Sequence, residues 1–205
     1  MVPQTTVRDL RDPRSGSNVQ VGDTVRLQEL VVTAVGPRRV WAQDASGGAW
    51  SGILVFFSDA NLNVPGLRPG SVVTVTGTYV EYQGGDDEGT VSEVTISEPS
   101  QLVTVDVGDP PTPRLVTEAD LTNPASAESW ENVLVQLNGV EVSAELDFGQ
   151  WGFTGGYVMD DFLYPYNQER QDIELGASFS TLVGVHSYSF NQFKLLPRGA
   201  EDFVP

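Results

Sequence analysis

The chain has 205 residues and a formal net charge of −17, from 28 acidic against 11 basic side chains, and it has no cysteine. That length fits one large or two small domains. The acidity argues against non-specific DNA binding, whose affinity comes from cations displacing condensed counterions. It favours solubility and attracts divalent cations, disulfide chemistry is excluded, and no apolar run of about eighteen residues exists to span a bilayer as a helix.

Residues 1–20 alternate charges with turn formers, in Arg8-Asp-Leu-Arg-Asp-Pro13 and Ser15-Gly-Ser-Asn18, and form a lead-in segment. The start is not a basic-then-apolar leader, so export implies a signal upstream of this sequence. Val21-Gly-Asp23 turns the chain into a first strand, Thr24 to Val35, with Val25 and Leu27 inward, then Leu30, Val32 and Ala34. The change of parity after Leu27 predicts a bulge or sharp coil, which lets one long strand serve two sheets. Val40 to Phe57 follows as two short strands about Asp44-Ala-Ser-Gly-Gly48. Ser58 to Gly70 is polar, rich in Pro and Gly, and without helical period. Ser71 to Tyr82 is the cleanest strand, broken only at Gly77, where a bend or close backbone approach is expected. Beyond the loop Gln83–Gly89 come a strand over Thr90 to Ser97 and an extension over Leu102 to Val107.

Three prolines in Gly108-Asp-Pro-Pro-Thr-Pro113 forbid both helix and central strand. The expected division is a first module over residues 1–107, a linker over 108–131 and a second module over 132–205. Leu115 to Glu131 is the one place for a short helix, around Thr117 to Leu121 with Thr117 as cap, and Pro124 limits it. In the second module Tyr157-Val-Met-Asp160 stands where Trp41-Ala-Gln-Asp44 stood, and Phe162-Leu-Tyr164 follows as Ile53-Leu-Val-Phe56 does. Val133 and Val135, then Val140 and Val142, repeat the parity slip around Asn138-Gly139. Ala177 to Phe190 matches the long strand, with Gly184 in the place of Gly77, and the last strand spans Gln192 to Leu196. Such modules, each with a long kinked first strand and almost no helix, predict an all-β chain of two tandem five-stranded OB-like (Greek-key) barrels. A β-sandwich is the competitor, and it needs strands in Ser58–Gly70, where the prolines oppose them.

The order Val21-Gly-Asp-Thr-Val25, Val40-Trp-Ala-Gln-Asp44, Val75-Thr-Gly77 and Glu81-Tyr-Gln-Gly84 resembles the OB-like modules attached to secreted bacterial nucleases and phosphoesterases. Pro111-Thr-Pro113, Ala119-Asp-Leu121 and Glu128-Ser-Trp-Glu-Asn-Val-Leu-Val135 extend the resemblance over most of residues 5–200. It implies an accessory module of an extracellular, cell-surface or periplasmic assembly, and it transfers no catalytic residue.

Catalytic chemistry finds little support. His186 is the single histidine, and Ser187 beside it on a strand points to the opposite face, so the two do not pair as base and nucleophile. Zinc and two-metal phosphodiesterase sites lack ligands. Calcium accepts oxygen alone, and Asp86, Asp87 and Glu88, framed by glycines, are its candidates; a solvated hairpin tip is the competing explanation. Asp44 and Asp160 suit hydrogen bonding within their own turns. The pairs Gly47-Gly48 and Gly155-Gly156 lack the context of a phosphate loop.

Aromatic stacking is the stronger signal. OB barrels bind across the second and third strands and the adjoining loops. Trp41, Trp50, Tyr79 and Tyr82 in the first module, and Trp151, Tyr157 and Tyr188 in the second, belong to segments that build that face. Arg38 and Arg39, next to Trp41, are the one basic pair beside an aromatic. The expected function is therefore a non-catalytic binding or spacer module with protein partners or a surface glycan. The alternative is a single-stranded nucleic-acid or oligosaccharide reader on the strand-two/three face, and a hydrolase using acidic residues ranks last.

Overall fold

The computed structural model describes residues 2, 4–169 and 173–205. Strand β1 (Gln4–Thr5) and helix α1 (Val7–Arg11) precede β2 (Thr24–Gly36), β3 (Arg39–Asp44), β4 (Gly52–Phe57), β5 (Ser71–Tyr82), β6 (Val91–Ile96) and β7 (Leu102–Val107). The order β2-β3-β4-β6-β5 closes through β5 onto β2. Within that circuit β4 and β6 run parallel and the other pairs antiparallel. β1 and β7 extend the rim beside β2 and β5.

The chain then passes β8 (Arg114–Leu115), α2 (Glu118–Thr122) and α3 (Ala127–Trp130) into β9 (Leu134–Glu145), β10 (Trp151–Phe153) and β11 (Val158–Met159). It ends with α4 (Tyr166–Glu169), β12 (Ser178–Ser189), β13 (Gln192–Leu196) and β14 (Phe203–Val204). The circuit β9-β10-β11-β13-β12 closes through β12 onto β9, again with one parallel pair, β11 and β13. Both circuits have the five-stranded Greek-key order of the OB-like fold. The chain is all-β in two tandem closed barrels, and a sandwich of two open sheets is not formed.

Each core follows from strand parity. Val25, Leu27, Leu30 and Val32 of β2 all face the first core, because a register shift lies between Leu27 and Leu30 with Glu29 at φ +57°. A second shift between Val32 and Ala34 then turns Ala34 outward, against the sequence expectation. In β9 the slip occurs without a bulge against β12: Leu137 and Leu182 face inward, and so do Val140 and Phe179 at the same register. Both strands coil together there, helped by Gly139 at φ +63°. Gly77 and Gly184 are equivalent, since a Cβ at either would strike the neighbouring strand's backbone, at Thr95 O (2.5 Å) or Leu196 O (2.8 Å).

Two sequence readings need correction. Residues 1–20 are not merely a lead-in: Thr6 and Asp9 form a reciprocal capping box for α1, Val7 enters the first core, and Arg11 is buried. The expected correspondence between Tyr157–Asp160 and Trp41–Asp44 is one strand out of step. Trp41–Asp44 lies in the second barrel strand, whereas Tyr157–Asp160 spans the third, and Phe162–Tyr164 is not a strand. The true counterpart of the Gly47-Gly48 hairpin turn is Gly155-Gly156, between β10 and β11.

The barrels share a third, smaller apolar cluster. Ala34, Trp41 and Leu54 from the outer face of the first barrel meet Leu134, Val183, Val185 and Leu196 from the second. Polar contacts frame it: Leu134 N donates to Gln43 Oε1 (3.0 Å), and Ser92 N donates to Glu131 Oε1 (3.0 Å). Gly52 is required by this close approach, because a Cβ there would lie 2.3 Å from Asn132 C and 2.6 Å from Val133 N. Gly52→Ala should therefore cost about 1–3 kcal/mol by overpacking. Gly108→Ala, which meets open space, should be near neutral in the same denaturant titration.

Candidate functional site

The first barrel's β3–β4 outer face, the expected ligand platform, is filled by the second barrel. Trp41 is fully buried and meets Phe162 edge-on at 6.2 Å. Arg39 lies over the other neighbour of this face, with its guanidinium 5.0 Å from the Phe162 ring. Burial first, and Arg38 second, pull its pKa down, against the opposing pull of Glu93. Arg38, at φ +59°, donates to Phe57 O and Ser58 O and rides 5.0 Å over Phe56. The two arginines are thus engaged in separate local contacts rather than aimed together at one anion.

The remaining predicted rings are distributed in the same way. Tyr79 and Tyr157 are core residues, and Trp151 is buried with Nε1 donating to Asn167 Oδ1 at 2.7 Å. Trp50 is half-buried at φ +66°, with Arg11 5.7 Å from its ring and its N–H donating to Ser129 O. Tyr188 is half-buried and accepts from Gly89 N at 3.0 Å. Only Tyr82, 53% exposed, is more than half open among the seven rings.

The second barrel's equivalent face is differently built. Trp41 pairs with Ala34 in the first barrel, and Gly152 pairs with Ala144 in the second. The knob that locks the first interface is therefore missing. The complementary surface is missing too: with Gly77 aligned to Gly184, Val183 and Val185 correspond to Thr76 and Thr78 of the first barrel. A further copy stacked in the same way would lack these contacts.

Two phenylalanines missed in the sequence stand exposed on loops of the second barrel. Phe148, in the β9–β10 connection, is 92% exposed at φ +60°; Phe190, at the β12–β13 tip, is 84% exposed at φ +52°. A polar relay links their loops. Asp160 Oδ2 accepts from Gln150 Nε2 (2.8 Å) and from Lys194 Nζ (3.3 Å), and the same ammonium lies 5.2 Å from the Phe190 ring. The available signals were Asn191 after Phe190 and Gly149 after Phe148, turn residues that place a ring on a tip.

The acidic loop of the first barrel reaches the same tip. Asp87 Oδ1 accepts from Asn191 N (2.9 Å) and Oδ2 from Phe190 N (3.3 Å), while Glu88 N donates to Asn191 Oδ1 (2.5 Å). Asp86 contributes its carbonyl to Asn191 Nδ2. Both oxygens of Asp87 thus receive amide hydrogens across the barrels. Among the described residues no three His, Cys, Asp or Glu side chains group to hold a metal ion.

His186 faces the second barrel's interior, stacked 4.7 Å from Phe193. Burial lowers its pKa to about 3, so it is neutral. Tyr157 OH lies 2.5 Å from Nδ1 and Ala127 O lies 3.2 Å from Nε2, which fits the tautomer protonated at Nε2. It is a hydrogen-bonded core residue without access to substrate.

No helix among the described residues is long and apolar enough to cross a membrane. No protein-family model matches this sequence, and no curated protein matches it either.

Proposed function

We propose that this chain is a non-catalytic accessory module in a larger secreted or surface assembly, with the first barrel as its structural half and the second as its binding half. One observation carries this reading: the β3–β4 face of the first barrel is closed by the second barrel, while the second barrel carries two phenylalanines, Phe148 and Phe190, exposed on its loops. Placement outside the cell draws its support from the sequence resemblance to modules of secreted nucleases and phosphoesterases.

A titration with labelled single-stranded oligonucleotides tests the reading. No saturable binding and no cleavage are expected near physiological salt, because 28 acidic side chains stand against 11 basic ones and the one lysine, Lys194, is buried and paired with Asp160. Saturable binding that weakens steeply with salt would make the chain a nucleic-acid reader instead. Cleavage would make it an enzyme.

A further inference from the structure

The seam between the barrels is not filled along its whole length. Next to the shared apolar cluster, which includes Ala34 and packs against Leu163, lies a cleft of about 190 Å³. The first barrel contributes Ala34 and Val35 of β2 together with Leu67 and Pro69 of the β4–β5 connection, and the second contributes Leu163. One arginine from each barrel completes the lining, Arg68 and Arg198. Val35 is 42% exposed and Arg68 is exposed, so the cleft opens to solvent there.

Its walls are held by specific contacts. Gly36 lets Leu163 lie against the end of β2, since a Cβ there would stand 2.9 Å from Leu163 Cδ2. The backbone of Arg68 donates to Ser71 Oγ (3.1 Å) and accepts from Ser71 N (2.9 Å), and Gly70 N donates to Val32 O (2.9 Å). Those bonds fix the loop on β2. Arg198 is gripped by Asp202 through Nε (2.9 Å) and Nη2 (2.6 Å), and its Nη1 donates across the seam to Thr33 O (3.3 Å). A ligand would therefore find the site already formed and would not have to order it.

Charge and size specify the ligand. Arg68 has no ion pair or side-chain hydrogen bond among the described residues. Arg198 spends three of its five N–H donors on Asp202 and Thr33. Both oxygens of Asp202 are taken by Arg198. In a chain of net charge −17, this cleft offers unspent donors and positive charge. A cation would be repelled, an inorganic anion would leave the apolar side chains unused, and a hydrocarbon would leave the donors unused. An apolar cavity of about 150 Å³ holds one benzene ring, so this cleft has room for one ring and a small polar group. We infer that the inter-barrel cleft binds a small carboxylate on a single apolar ring, with the carboxylate on Arg68 and the free edge of Arg198 and the ring against Val35, Leu67 and Leu163. The lining residues play no part in assigning binding to the second barrel, so the two readings fail separately.

The test uses the full chain with benzoate as the probe and benzamide as its uncharged counterpart, followed by methyl chemical shifts. Benzoate should shift the methyls of Val35, Leu67 and Leu163 saturably, with a dissociation constant of about 1 mM for so small a ligand. It should bind about two- to fivefold more tightly than benzamide, the range for a solvent-accessible ion pair. Arg68→Gln should remove most of that preference and leave benzamide binding unchanged. Val35→Trp enlarges a half-exposed side chain at the opening and should abolish binding of both ligands. Equal affinity for the two ligands, or a preference undiminished in Arg68→Gln, would overturn the carboxylate assignment. Shifts confined to methyls outside the cleft, or binding retained in Val35→Trp, would overturn the site. No saturable shift up to about 50 mM would reduce the cleft to a gap in packing. The oligonucleotide titration, by contrast, bears on the module reading alone.

Discussion

Arg11→Met should destabilise the chain by about 3–5 kcal/mol, the range for removing one partner from a buried charged network. At roughly 2–4 °C per kcal/mol for a chain this long, the thermal midpoint falls by roughly 10 °C. The side chain is wholly buried, and its fork ties both barrels together. Nη1 donates to Gly52 O of the first barrel (3.1 Å) and to Glu131 O (2.7 Å); Nη2 donates to Glu128 O (2.8 Å) and Glu128 Oε1 (2.9 Å). Four acceptors lose their donor at once, and methionine replaces only the volume. Arg11→Lys keeps the charge but not the planar fork, so it should recover less than half of the loss. A loss under about 1 kcal/mol for Arg11→Met would mean that the fork is not what holds the junction.

The same cluster sets a pH dependence. Glu131 is fully buried beside Arg11 and shares that guanidinium with Glu128, and burial raises its pKa to about 8. Its Arg11 contact at 3.3 Å looks ionic, yet desolvation together with the competing carboxylates of Glu128 and Glu81 outweighs that attraction, so the proton is retained at neutral pH. A folded pKa above the ordinary 4.5 means that the folded state binds the proton more tightly. The resulting stability is fully present below pH 4.5 and is lost as pH rises through about 8. Glu131→Gln should flatten the stability curve across that window in denaturant titrations. A curve of unchanged slope would place the proton elsewhere.

Trp41→Ala should cost about 3–5 kcal/mol, as for other buried large-to-small aromatic changes, and its signature should be loss of coupling between the barrels. Trp41 belongs to neither barrel core. It sits in the shared cluster with Leu54, Leu134, Val183, Val185 and Leu196. Removing it opens a cavity at the seam while both cores remain packed. Calorimetry should then resolve two transitions where the parent chain shows one. A single cooperative transition at a lower midpoint would instead show that Arg11 and the Gly52–Asn132 contact suffice to couple the halves.

Much of the fold was legible because strand patterns are local. Ser71–Tyr82, Leu102–Val107 and Gln192–Leu196 are strands with the expected limits, Thr117 caps α2, and the β2 bulge falls where the inward set changes parity. Period-two alternation and turn chemistry act over a few neighbouring residues, so they can be read without a partner. Helix α1 was legible in principle from Thr6-Val-Arg-Asp9 and was missed because charge alternation masked a single core residue, Val7.

The candidate site was the harder part. Trp41, Trp151 and Tyr157 had the right residue type on the right strands, yet whether a ring faces its own core, another barrel or solvent depends on contacts far away in the chain. Phe190 looked like a strand residue until a tight turn put it on a tip. Asp87 looked like a solvated loop acid until Asn191 came to meet it across more than a hundred residues.

By itself the sequence determined the all-β class, the tandem barrels and the strong negative charge, since composition and short-range periodicity need no second element to act. Only the tertiary structure decided which outer face is closed by the other barrel and which residues join the two. Those outcomes depend on how two finished surfaces fit, where Trp41 of the first barrel packs into the inter-barrel cluster and Gly152, at the corresponding place in the second, has no side chain to do so.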